Sequence, residues 1–146
     1  MVPLVFSVDD DATGQIILRA FLKDEAFCDE FVCYQSPTAA LKDLSFRAEN
    51  DFDSFPEVLF IDIRMPEMDG WELVENIIPL VQDKERLPAI VMLTGTATKE
   101  DHERALANPF VLALEEKPLN MDLLYELRGF RHISQYFNSR AQATCA

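Results

Sequence analysis

The sequence predicts an α/β fold in which a parallel sheet of five strands carries helices on both faces. Short apolar runs alternate along the chain with longer segments whose apolar residues have helical spacing. Such runs are typical of strands buried on both faces, and their regular alternation with helices indicates right-handed βαβ units. With 146 residues, 49% of them hydrophobic, the chain is long enough for one domain with a substantial core.

The predicted strands are apolar runs that end at polar residues or turns. They cover residues 4–8, 31–34, 58–61, 89–93 and 111–114. Helical spacing predicts helices over residues 13–23, from 37 onward, and over 71–80, 99–107 and 121 to about 137. Ser36 and Pro37 are typical of an N-cap followed by the first helical position. No second domain is predicted after the fifth helix.

Polar side chains follow these strands at the edge where the functional sites of open parallel sheets lie. Asp9 and Asp10 follow the first strand, within a run of three aspartates, and Asp62 follows the third strand. Thr94 ends the fourth strand, and Lys117 lies shortly after the fifth. We therefore expect carboxylates, a hydroxyl and an ammonium to meet at one rim of the sheet.

Neighbouring carboxylates cannot all stay ionised without a counter-charge. Mg²⁺ binds a few carboxylates together with waters and phosphate oxygens, so a Mg²⁺ ion held by Asp9, Asp10 and Asp62 would leave room for a phosphoryl group. Asp62 is the best placed nucleophile, since a carboxylate can form an aspartyl-phosphate. Lys117 would supply positive charge and Thr94 a hydroxyl donor. These residues predict a Mg²⁺-dependent phosphoryl-binding site.

Four motifs, in this order, resemble those of the receiver domain of two-component response regulators. They are Val-Asp-Asp-Asp at 8–11, Val-Leu-Phe-Ile-Asp-Ile-Arg-Met-Pro-Glu-Met-Asp-Gly at 58–70, Val-Met-Leu-Thr-Gly at 91–95 and Lys-Pro at 117–118. The resemblance extends over about residues 2–130, and the pattern Asp-x-x-Met-Pro-x-Met-Asp-Gly is highly specific. It implies a flavodoxin-like (βα)5 three-layer sandwich with strand order 2-1-3-4-5.

The resemblance also implies roles for single residues. Asp62 matches the phosphoacceptor, and Asp9 and Asp10 match the acidic pair that holds Mg²⁺ with it. Arg64 matches the position whose backbone carbonyl completes the metal shell.

Three further positions bear on the switch that such domains contain. Thr94 matches the hydroxyl residue that moves to bond the phosphoryl oxygen, and Lys117 matches the lysine that pairs with the phosphoryl group. The bond between Lys117 and Pro118 is commonly cis in such proteins. Leu114 stands where the family usually has an aromatic switch residue, and a leucine cannot swing a large ring or offer a hydroxyl.

The implied function is that of a single-domain response regulator. A receiver domain is expected over residues 1–137, with a short tail over 138–146 and no effector domain. A histidine kinase or histidine phosphotransfer protein would phosphorylate Asp62, and a surface change would signal to an unidentified downstream protein. The protein is expected not to be an ordinary enzyme, although it would catalyse its own phosphorylation and slow autodephosphorylation.

Composition restricts the partners and the compartment. The formal net charge of -13 argues against binding to nucleic acid or to an anionic membrane. Three cysteines fit no disulfide framework, and the first residues lack the basic start of a signal peptide. No apolar run approaches the roughly 20 residues of a membrane span. A cytoplasmic protein is therefore expected.

The sequence leaves three other functions to compare with this one. A pseudo-receiver that acts as a phosphorylation-independent interaction module is the main alternative, because Leu114 replaces the aromatic residue. A haloacid-dehalogenase-like phosphatase would need a second aspartate where Arg64 stands. A flavodoxin would need a phosphate-binding loop after the first strand, where the aspartate run would repel the FMN phosphate.

Overall fold

A computed structural model describes residues 1–137, which form one parallel sheet with helices on both faces. The strands are β1 (Val2–Val8), β2 (Cys28–Tyr34), β3 (Val58–Asp62), β4 (Ala89–Thr94) and β5 (Val111–Glu116). Their order in the sheet is β2-β1-β3-β4-β5, and every neighbouring pair is parallel. The predicted fold class and strand order are confirmed.

Each strand is followed by a helix whose first turn is capped by a side chain. The helices are α1 (Ala12–Asp24), α2 (Pro37–Asn50), α3 (Gly70–Val81), α4 (Lys99–Ala107) and α5 (Met121–Arg128). The caps are Asp11, Ser36, Asp69, Thr98 and Asn120, each of which accepts a backbone N–H. A polar residue directly before each helix therefore sets the point at which the chain leaves the sheet edge.

Alternation along the strands divides the core between the two faces of the sheet. Phe6 and Leu59 pack with apolar residues of α2 and α3. Val5 and Phe60 point the other way and pack with residues of α1 and α5. Because β1, β3 and β4 are buried on both faces, the sheet forms the middle layer of a three-layer sandwich.

The last helix is shorter than the sequence predicts. Helix α5 ends at Arg128, and Gly129 follows as its C-cap, with its N–H bonded to the carbonyl of Glu126. The chain then forms a 3-10 turn over Arg131–Ser134, in which Ile133 is fully buried. The predicted extension to residue 137 was wrong, because helical spacing continues past a glycine that ends the helix. The predicted tail over residues 138–146 lies outside the described residues.

Two sequence features outside the site can also be placed. Cys28 and Cys33 both lie on β2 as half-buried free thiols, and Cys145 lies outside the described residues. Among the helices of residues 1–137, none combines the length and the apolar composition that a membrane crossing requires.

Candidate functional site

Three carboxylates meet at the carboxyl ends of β1 and β3. Val8 pairs with Ile61 in the sheet, so the residues that follow each of them lie side by side. Asp9, Asp10 and Asp62 each offer a carboxylate oxygen, and these oxygens all lie within 4.8 Å of one another. Asp9 and Asp62 are only 4% and 6% exposed, whereas Asp10 faces solvent. The three acids that the sequence predicts to act together are therefore adjacent.

Lys117 reaches this acidic group from the end of β5. Its backbone N–H donates to the carbonyl of Thr94 at 2.8 Å, which fixes the loop beside β4. Its Nζ donates to Oδ2 of Asp9 at 2.6 Å and lies 3.5 Å from Oδ1 of Asp62. The bond from Lys117 to Pro118 is cis, as the resemblance implies.

The negative charge of the site exceeds what one ammonium balances. Burial and the charges of Asp9 and Asp10 raise the pKa of Asp62 to about 6, although Lys117 acts in the opposite direction. Burial disfavours the charged form of Lys117, but its hydrogen bond to Asp9 and the nearby carboxylates outweigh burial and raise its pKa. A further cation at this point would relieve the repulsion between the carboxylates.

The donor set fits a hard divalent cation. Carboxylate oxygens that share one small space are the ligands that Mg²⁺ prefers, and cysteine or histidine ligands are not part of the cluster. The exposed position of Asp10 leaves one side of the cluster open to water and to a ligand. The residues present therefore fit the Mg²⁺ ion that the sequence predicts.

Thr94 lies at the same edge, and its hydroxyl is held by a neighbour that sequence analysis did not foresee. The residue is almost fully buried at the end of β4. Its Oγ1 accepts from Nη1 of Arg64 at 2.7 Å and donates to the carbonyl of Thr96 at 3.2 Å. The family resemblance implies a role only for the backbone carbonyl of Arg64, so the guanidinium is an addition to the site.

The guanidinium of Arg64 also binds Asp101, in the first turn of α4. Nη2 of Arg64 donates to Oδ2 of Asp101 at 2.8 Å, and Nε1 of Trp71 donates to Oδ1 at 3.2 Å. Asp101 completes a capping box with Thr98, in which each backbone N–H bonds the other side chain. The Thr-x-x-Asp spacing is the one local signal that could have indicated this carboxylate.

The electrostatic state of Asp101 follows from these partners. Burial by itself would raise the pKa of Asp101. The backbone N–H of Thr98, the guanidinium of Arg64 and the indole of Trp71 together outweigh burial and hold the pKa well below its usual range. Asp101 is therefore a buried carboxylate beside the site that stays ionised at neutral pH.

Leu114 lies apart from the polar site. It pairs with Met92 on the sheet and packs, half-buried, against the core layer of α2 and α3. Asp62, Arg64, Thr94 and Lys117 share an open cleft of about 530 Å³ at the carboxyl edge of the sheet. Its lining consists of Asp11, Asp62, Arg64, Thr94, Gly95, Thr96, Thr98 and Lys117.

Gln15 is a second residue that sequence analysis missed. It lies in α1 and is 4% exposed. The two protons of its Nε2 are shared among the carbonyls of Ser7, Asp9 and Tyr34, at 3.2, 3.3 and 3.2 Å. The amide thereby fixes the backbone from which Asp9 projects. A single glutamine on a helix carries no sequence signal for this role.

Comparison with known sequences identifies relatives over most of the chain. The family model described as response regulator receiver domain matches residues 5–127. The probable methanogenesis regulatory protein FilR2 of Methanothrix harundinacea is 31% identical over 131 residues, which are 88% of this chain and 79% of that protein. An uncharacterised 14.6 kDa protein of Leptolyngbya boryana is 36% identical over 106 residues, 73% of this chain and 72% of that protein.

Solved structures share the fold. A two-component response regulator from Cytophaga hutchinsonii matches with a TM-score of 0.77 at 23% identity, covering 86% of this chain and 95% of its own. The receiver domain of the histidine kinase CKI1 from Arabidopsis thaliana, complexed with Mg²⁺, matches with a TM-score of 0.74 at 22% identity, covering 88% and 92%. At such identities the likeness concerns the architecture alone.

Proposed function

The chain belongs to the response regulator receiver domain family, and on this premise we propose that it accepts a phosphoryl group onto Asp62. The observation that carries the proposal is the position of Asp62. It is buried at the end of β3, next to two further carboxylates and 3.5 Å from the ammonium of Lys117. A nucleophile, a cation site and a fixed positive charge are the parts that phosphoryl transfer needs.

In the proposed reaction, a carboxylate oxygen of Asp62 attacks the phosphorus of a phosphohistidine on the donor protein. The new O–P bond forms as the P–N bond breaks, and the imidazole nitrogen leaves with the electron pair. Hydrolysis of the aspartyl-phosphate restores the unphosphorylated chain. Water attacks the phosphorus, the bond between phosphorus and the Asp62 oxygen breaks, and inorganic phosphate is released. The donor would be a histidine kinase or a histidine phosphotransfer protein.

We assign the metal to the carboxylates of Asp9, Asp10 and Asp62, with the backbone carbonyl of Arg64 as a further ligand. Bound Mg²⁺ would neutralise charge between the carboxylates and the phosphoryl oxygens. Lys117 is already within reach of Asp62, so its ammonium can pair with a phosphoryl oxygen without a large movement. The hydroxyl of Thr94 would donate to another oxygen after it leaves the carbonyl of Thr96.

Phosphorylation would alter the surface that a downstream protein reads. Phosphorylation of Asp62 adds negative charge to the cleft that this residue lines together with Thr94 and Lys117. The side chains of Thr94 and Lys117 and the start of α4 would change position in response. Residues 1–137 would carry this response as the receiver unit, and the protein that recognises it is unidentified.

The test is the intact mass of the protein after incubation with acetyl phosphate, with and without Mg²⁺. We expect the mass of one phosphoryl group to be added to the wild type with Mg²⁺ and to be absent in Asp62→Asn. Asp69→Asn is the matched control, because Asp69 only caps α3 and asparagine caps a helix equally well. A wild type that binds Mg²⁺ and gains no phosphoryl group would instead indicate a phosphorylation-independent interaction module.

A further inference from the structure

Arg64 connects the hydroxyl of Thr94 to the start of α4. One guanidinium nitrogen donates to Thr94 at 2.7 Å and another to Asp101 at 2.8 Å. Thr94 and Asp101 belong to different elements, and both are at least nine-tenths buried. The side chain of Arg64 is 52% exposed, so it bridges two buried groups from the rim of the cleft.

The bridge determines what the hydroxyl of Thr94 can do. A hydroxyl has one proton, and here it donates that proton to the carbonyl of Thr96 at 3.2 Å. Its oxygen accepts from Arg64 at the same time. If the Thr94 side chain rotates to donate its proton to a phosphoryl oxygen on Asp62, its hydrogen bond to the carbonyl of Thr96 breaks. The same rotation changes the direction of the lone pairs of Oγ1, and with it the geometry of the hydrogen bond from Arg64.

The bridge also determines the environment of Asp101. Besides Arg64, this carboxylate accepts from the backbone N–H of Thr98 and from the indole of Trp71. It therefore joins α3 to the first turn of α4. If its guanidinium partner is withdrawn, a buried charge loses its counter-ion, which is costly unless the surrounding helix end adjusts.

A phosphoryl group on Asp62 would compete for Arg64. Asp62, Arg64 and Thr94 line the same cleft. A phosphorylated side chain carries close to two negative charges at neutral pH and offers several acceptor oxygens, which can form charge-assisted hydrogen bonds with the guanidinium in place of those to Asp101. The exposed position of Arg64 lets its guanidinium turn toward that group.

We propose that Arg64 is a positioning residue that exchanges Asp101 for the phosphoryl group, and so transmits phosphorylation from Asp62 to the N-terminal turn of α4. The proposal rests on the function proposed above. In this proposal the ion pair between Arg64 and Asp101 couples Asp62 to α4. An aromatic residue at position 114 would otherwise have this role. Leu114 packs against the core and has no hydrogen-bonding group with which to follow Thr94.

The chain carries its own reporter for this exchange. Trp71 is the only tryptophan in the sequence, and its indole N–H bonds Asp101 directly. We would measure Trp71 emission and the hydrogen exchange of a peptide over residues 97–107, before and after acetyl phosphate with Mg²⁺. Intact mass, taken from the same samples, reports phosphorylation separately.

The variants are Arg64→Ala and Asp101→Asn, with Lys99→Ala as the matched control. The Lys99→Ala substitution removes a cation from the same helical turn. It is a suitable control because the side chain of Lys99 is 93% exposed and its Nζ lies 4.0 Å from a carboxylate oxygen of Glu103, not of Asp101. In the wild type and in the control, phosphorylation is expected to raise exchange of the 97–107 peptide several-fold and to change Trp71 emission. Both variants should show fast exchange beforehand and should lose the further response once they carry the phosphoryl group, which intact mass reports.

The proposal is overturned if Arg64→Ala gains the phosphoryl mass and still shows the full wild-type response in α4. It is also overturned if, without phosphorylation, Arg64→Ala and Asp101→Asn both leave Trp71 emission and α4 exchange unchanged. A wild type that gains no phosphoryl mass contradicts the proposed function instead, and the unphosphorylated comparison still decides whether Arg64 holds α4.

Discussion

A methyl group at Gly70 would overlap the backbone carbonyl of Asp62. An ideal Cβ at Gly70 would also lie 2.8 Å from the Cα of Ile63, a distance that real Cβ atoms do not show. The N–H of Gly70 donates to the carbonyl of Ile63 at 2.7 Å, so the start of α3 lies directly against the end of β3. This close approach fixes the strand end on which the proposed phosphoacceptor stands.

Gly70→Ala is therefore expected to destabilise the chain by about 1–3 kcal/mol, because backbone rather than a flexible side chain must move. The free energy of unfolding in urea measures the effect. Gly95→Ala is the matched control, since a Cβ at Gly95 meets nothing within 4 Å and the residue has no positive φ. Equal stability of the two variants would contradict this account of Gly70.

Asp62→Asn is expected to stabilise the metal-free chain at pH 8 by about 1–2 kcal/mol. The pKa of Asp62 is raised to about 6 by burial and by Asp9 and Asp10, whereas an unfolded chain titrates near 4. The folded state binds the proton more tightly than the unfolded chain does. The free energy of unfolding therefore falls as pH rises from about 4 to about 6, where Asp62 ionises in the folded state. The asparagine amide removes this loss of stability.

Urea unfolding at pH 5 and pH 8, in the presence of a chelator, measures this difference. The stabilisation by Asp62→Asn should be larger at pH 8 than at pH 5. Asp83→Asn, at an exposed acid in the segment after α3, should change stability little at either pH. A variant at position 62 that is less stable than wild type at pH 8 would show that repulsion among the carboxylates is not the dominant effect.

Asp101→Asn is expected to destabilise the chain by about 1.5–3 kcal/mol at pH 7, since hydrogen bonds to a charged group are lost. The folded-state pKa of Asp101 is depressed, so the wild-type advantage is fully present above the unfolded pKa of about 4 and declines as pH falls below it. Urea unfolding at pH 7 and pH 3.5 should show a smaller difference at the lower pH. Glu100→Gln, one residue earlier and exposed, should show no such loss at pH 7.

Glu57→Gln is expected to loosen the segment that follows α5. Glu57 is buried before β3, and its carboxylate lies 2.7 Å from Nε2 of His132 and 3.4 Å from Arg86. The variant should lower the free energy of unfolding by about 1–3 kcal/mol and speed hydrogen exchange over residues 130–137. Asp53→Asn removes a 98% exposed partner of the same arginine and should change neither quantity. Unchanged exchange in Glu57→Gln would show that packing of Ile133 alone holds the segment.

Local patterns were sufficient for the fold class and for the acidic site, whereas the strand order followed only from the family resemblance. The apolar runs correctly located all five strands, because strands buried on both faces need continuous apolar residues. Asp9, Asp62, Thr94 and Lys117 could be grouped because parallel strands bring their carboxyl ends to one edge. The end of α5 was the failure, since helical spacing continued beyond Gly129.

By itself, the sequence determined which residues end each strand, and therefore which acids, hydroxyl and ammonium meet at the carboxyl edge. Only the tertiary structure decided the partners of those groups. Arg64 and Asp101 are 37 positions apart, and His132 and Glu57 are 75 apart. Their contacts depend on where helices pack against the sheet and on the directions of long side chains, which apolar periodicity does not specify. The connection from Thr94 to α4 is therefore a property of the folded chain.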